Sequence, residues 1–83
     1  MNREWVQFHL QEALDELTSM ISAIDKDVDY TEAELDIALT HIYNHINTAW
    51  NSRNVPAIDV AEHTDADFYE WRGFPKDIQM GRP

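Results

Sequence analysis

Apolar residues recur early in the chain at Val6, Leu10, Ala13, Leu14, Leu17, Met20, Ile21 and Ile24. At about 100° per residue they fall on one stripe, and Gln7, Gln11, Asp15, Thr18 and Ser22 fall on the far side. The spacing predicts an amphipathic helix over residues 3–25, with no Gly or Pro inside it. Trp5 and Phe8 lie off the stripe. Phe8 points almost opposite, so it either meets a second surface or sits where the helix has not settled.

The run Asp25-Lys26-Asp27-Val28-Asp29-Tyr30 breaks the pattern, and Thr31-Glu32-Ala33-Glu34 follows. That is a capping-box sequence. The Thr31 hydroxyl accepts from the Glu34 amide, and the Glu34 carboxylate reaches back to the Thr31 amide. Leu35, Ala38, Leu39, Ile42, Ile46, Ala49 and Trp50 then form the core stripe of a second helix over 32–51. Asn54 and Pro56 end it. Beyond Ala57 no long period appears. Thr64-Asp65-Ala66-Asp67 reads as an N-cap and Gly73-Phe74-Pro75 as a stop, giving a short helix over about 65–72. Phe68, Tyr69, Trp71 and Phe74 are close together, and each can bury on the order of 150–250 Å². They are expected to fold back across the hairpin. Gln79 to Pro83 are expected to fray.

The fold class is therefore all-α: an antiparallel two-helix hairpin plus a short C-terminal helix and aromatic segment (55–83), in one domain covering 1–83. Two helices make one seam, and neither has a buried centre until something covers the pair. A second copy of the hairpin would do so by forming a four-helix bundle, which makes a homodimer the expected assembly.

Charge sharpens this picture. The 83 residues carry 16 acids and 6 bases, a net charge of −10. Residues 1–52 hold 10 of the acids and only 2 of the bases. Such a field repels a phosphate backbone, so no nucleic-acid partner is expected, whereas a basic protein would be attracted. On the second helix no formally charged residue lies between Asp36 and Arg53 when the histidines are neutral. A face exposed to water normally carries Lys and Glu, so this helix is expected to be covered on more than one side. His41, Tyr43, His45, Trp50, Phe68, Trp71 and Phe74 are the candidate contact residues.

Candidate chemistry is sparse. With no cysteine there are no disulfides, which fits a reducing, cytoplasmic setting. No apolar h-region follows Met1, and no run reaches the roughly 18–20 apolar residues of a membrane span. Asp25, Asp27 and Asp29 alternate like the first ligands of an EF-hand. Tyr30 stands where that loop needs Gly and Asp36 where it needs a bidentate Glu, so a solvated turn is the better reading. His41 and His45 share a helical face with Glu34 nearby, a spacing that can hold two zinc ligands and leaves a third to be found. His9, Glu12 and Glu16 share a flank of the first helix that could supply it. No nucleophile arrangement or Gly-rich phosphate loop is present.

The functional expectation is a non-enzymatic protein–protein interaction or oligomerisation module without a cofactor. The alternatives are an acidic inhibitor that mimics nucleic acid toward a basic partner, and a small metal-binding helical protein using His41, His45 and Glu34.

Overall fold

The computed structural model describes residues 1–79 and 81. Four helices follow in order: α1 (Arg3–Lys26), α2 (Glu32–Asn51), α3 (Ala57–Ala61) and α4 (Asp65–Trp71). The expectation of fraying for Met80, Arg82 and Pro83 lies outside the described residues.

Short polar side chains set where the helices start. Asn2 caps α1, its Oδ1 accepting from the Trp5 amide at 3.2 Å. The Thr31–Glu34 capping box opens α2, with both reciprocal bonds formed at 2.9 and 3.2 Å. A second capping box, Thr64 with Asp67, opens α4. α3 was not expected. It enters through Pro56, whose φ of −62° suits a helix entry, and its five residues are too few to show a period.

α1 and α2 pack side by side as the hairpin. Their seam is not centred on the apolar stripe of α1. His9 and Ala13 are buried there, while Leu10, Leu14, Ile21 and Ile24 remain 48%, 53%, 63% and 50% exposed. The seam is thus displaced roughly a quarter turn from the centre of the stripe. Polar anchors at the open end of the hairpin account for the rotation. The Trp5 indole donates to Ser52 Oγ at 2.7 Å, the Asn2 amide donates to the Arg53 carbonyl at 2.6 Å, and Asn2 Nδ2 donates to the Val55 carbonyl at 3.1 Å. These bonds turn the Trp5–His9 side of α1 toward α2. Within the hairpin the buried apolar side chains are Ala13, Ile42 and Ala49. Two alanines and an isoleucine make a thin core for a chain of this length.

Candidate interaction surface

The hairpin seam is polar at its centre. His9 and His45 meet there, Nδ1 to Nδ1 at 2.9 Å, so one imidazole donates and the other accepts. Trp5 packs edge-on against His9 with ring centroids 4.3 Å apart. His9 Nε2 is buried without a hydrogen-bond partner. Burial, reinforced by the charge of a protonated His45, lowers the His9 pKa from 6.5 to about 4. His9 is therefore neutral near pH 6.

His41 lies one turn toward the interhelical loop, exposed, with its Nδ1 3.5 Å from Glu16 Oε1. Glu34 is engaged in its cap. The structure does not bring His41, His45 and Glu34 together: His45 turns to His9 and His41 to Glu16. Among the described residues no three His, Asp or Glu side chains converge as a metal site. The flank of α1 bearing His9 and Glu16 does face α2, but as two separate pairs. At the interhelical turn, Asp27 Oδ1 accepts from the Asp29 amide at 2.9 Å.

The neutral asparagines of α2 receive the C-terminal segment. Asn47, 6% exposed, donates to the Arg72 carbonyl at 3.0 Å. Asn51 donates to the Trp71 and Gly73 carbonyls, each at 2.7 Å. These carbonyls end α4 and lack intrahelical partners, so side-chain amides satisfy them. Docking by amides leaves the aromatics less covered than expected. Trp71 is half-buried against Trp5 and His63. Phe68, Tyr69 and Phe74 stay 45%, 61% and 55% exposed, and Arg72 lies over the first two rings. Their burial across the hairpin is not observed, because α4 touches α2 through its C-terminal end.

Trp50 was placed in the α2 core stripe and instead lies at the surface, 36% exposed. Its indole donates to Asp77 at 2.8 Å, and the Arg53 guanidinium sits 3.8 Å above its ring. The indole bond, aided by Arg53, holds the Asp77 carboxyl below its usual range.

The remaining candidate is the uncovered face of the hairpin itself. Measured around each axis from the touching histidines, Leu10, Leu14, Leu17, Ile21 and Ile24 lie about 60–140° from His9. Leu39, Tyr43, Ile46 and Trp50 lie about 100–160° from His45 in the same rotational sense. Antiparallel helices with equal offsets from a shared seam project those residues to one side. The aromatic segment docks on the other side, where Asn47 and Asn51 lie. Tyr43 is 54% and Ile46 42% exposed, so the face presents apolar side chains from both helices. Of the residues expected to make contacts, Tyr43 and Trp50 belong to this face. Phe68 and Phe74 lie on the C-terminal segment, His41 borders the opposite groove, and His45 and Trp71 are inside the fold. The face residues of α1 belong to the apolar stripe read from the sequence, which is wider than a two-helix seam requires. Their own 4-3-4-3 spacing, from Leu10 to Ile24, was the available signal.

Ser52 is fully buried between these features. Its hydroxyl donates to the Thr48 carbonyl and accepts from the Trp5 indole. Ser52→Ala leaves that indole N–H without its acceptor and should destabilise the fold by about 1–2 kcal/mol in urea titrations. An unchanged midpoint would mean that water replaces the hydroxyl.

The fold and surface define a small all-α helical-hairpin protein with one apolar face uncovered. Comparison with protein-family models, with curated proteins and with solved structures found no match. No helix among the described residues is long and apolar enough to cross a membrane.

Proposed function

We propose that this chain is a non-enzymatic protein–protein interaction or oligomerisation module, and that its contact surface is the apolar face of the hairpin. The observation that carries this reading is the half-exposed run Leu10, Leu14, Ile21 and Ile24, flanked on the same face by Tyr43 and Ile46. Scattered surface leucines need no explanation, but a contiguous two-helix patch does. The thin core supports the same reading. A hairpin that buries only two alanines and an isoleucine gains much of its stability elsewhere, and covering this face supplies it. Between Leu10 and Ile24 on α1 and between Leu39 and Trp50 on α2 the face is also free of charge, as the centre of an interface tends to be.

The test is gel filtration of extract from cells making the chain at its native level. The wild-type chain should elute well above its own 9.7 kDa. The double variant Leu14→Asp/Ile21→Asp should move to the position of the isolated chain, since two buried carboxylates are far more costly than two exposed ones. Both side chains are already half in water, so helix content should persist in circular dichroism. Elution of the wild-type chain at its own mass would overturn the reading.

A further inference from the structure

The uncovered face has a polarity along its length. Its open end, where α1 starts and α2 finishes, carries Arg3 and Arg53. Its loop end carries Asp25 and Glu32, with Asp27, Asp29 and Asp36 close by. Between them, from Leu10 to Ile24 on α1 and from Leu39 to Trp50 on α2, the face has no charged residue. Asp15, the one acid of α1 in that stretch outside the seam flank, points about 140° away from the stripe. Arg53 is partly occupied by Asp77, 3.7 Å away, so Arg3 is the more available cation.

We infer that the face is covered by a second copy of this chain, stacked so that α1 runs antiparallel to α1 of its partner across a two-fold axis near Leu14. The inference rests on the interaction-module reading and identifies its partner. Two isologous stackings of a flat hairpin are available. With the axis parallel to the helices, like ends coincide, so the two ends bearing Arg3 and Arg53 meet and the aspartate-rich loops face each other. With the axis perpendicular to the helices, each basic end meets an acidic end. For a chain of net charge −10, the second stacking relieves repulsion and the first concentrates it. The second also lays α1 on α1, where about an axis near Leu14 the residues Leu10, Leu14 and Leu17 meet their own counterparts and Ile21 comes beside Val6 of the other copy, a spacing suited to antiparallel knobs-into-holes packing. The product is a four-helix bundle with the histidine pairs inside each hairpin and the aromatic segments on the two outer faces.

The test uses the purified full-length chain. Sedimentation equilibrium should show a dimer that dissociates on dilution. The chain lacks cysteine, so Leu14→Cys supplies a single thiol beside the axis, and mild oxidation should link most of the protein as dimers. Lys26→Cys, with its partner thiol about 35 Å away, should stay largely unlinked. Arg3→Glu should weaken the dimer roughly five- to tenfold, since it acts twice in a two-fold assembly, and Arg3→Glu/Asp25→Lys should recover the loss. A wild-type chain that stays monomeric up to millimolar concentration overturns the inference. So does a dimer in which Leu14→Cys links no faster than Lys26→Cys. If the purified chain is monomeric while the extract complex still disappears in Leu14→Asp/Ile21→Asp, the interaction reading stands and self-association alone is rejected.

Discussion

Trp5→Ala should lower the thermal midpoint by at least about 12 °C. Trp5 is the residue through which three parts of the molecule are fastened. Its backbone amide is the one capped by Asn2, and its indole N–H reaches across the hairpin to Ser52. Its ring supports His9 edge-on and lies 6.5 Å from Trp71 and 6.4 Å from His63. Truncation leaves a cavity beside the seam and a buried hydroxyl short of a donor. Large-to-small changes of aromatic residues in such positions cost about 3–5 kcal/mol, and a domain of this size loses about 4–8 °C per kcal/mol. Trp5→Phe keeps the ring and loses the hydrogen bond, so it should fall between the two. Trp50→Ala should cost about 1 kcal/mol, because that ring is at the surface. Equal losses at Trp5 and Trp50 would mean that the anchoring of the N-terminus has been misassigned.

Acidification from pH 7 to pH 4 should remove on the order of 2 kcal/mol of stability through His9. The folded protein holds this imidazole neutral down to about pH 4, whereas in the unfolded chain it takes up a proton near pH 6.5. Between those values the unfolded state binds more protons, so stability rises with pH across the window and is lost as pH falls through it. The expected loss is less than the full shift would give, since His45 can turn away once charged. Urea midpoints measured at each pH should decline below about 6.5, and His9→Leu should flatten that decline. Proton titration of the His9 ring by nuclear magnetic resonance gives a separate check. A midpoint near 6.5 would show that the pair opens readily and that burial is not controlling its charge. The other histidines near this region, His41 beside Glu16 and His63 against Trp71, are exposed and lie outside the seam.

Much of the architecture was legible in the residues. The two long helices, their near boundaries and the loop between them follow from periodicity and from the Thr31–Glu34 box, because capping and 3.6-residue spacing are local properties. The start of α4 at Thr64 follows for the same reason. α3 escaped because five residues carry no period.

Other parts depended on contacts distant in sequence. An apolar arc on a helix tells how much surface wants cover, not which part of the arc meets which neighbour. Only the tertiary structure decided that the His9–Ala13 edge of α1 meets α2, since the rotation is set by Asn2 and Trp5 bonding to residues some fifty positions away. The same anchors separated His41 from His45 and gave each a partner on α1. They also left the Leu10–Ile24 stripe facing outward. The neutrality of α2 was visible in the sequence. Its reason, asparagine amides closing the carbonyl end of α4, appeared only when residues 47 and 51 were seen beside 71–73. What the sequence determined by itself was therefore the set of helices and the need to cover them. The tertiary structure decided which faces are covered within one chain, because long-range hydrogen bonds rather than apolar area fixed the rotation of the hairpin.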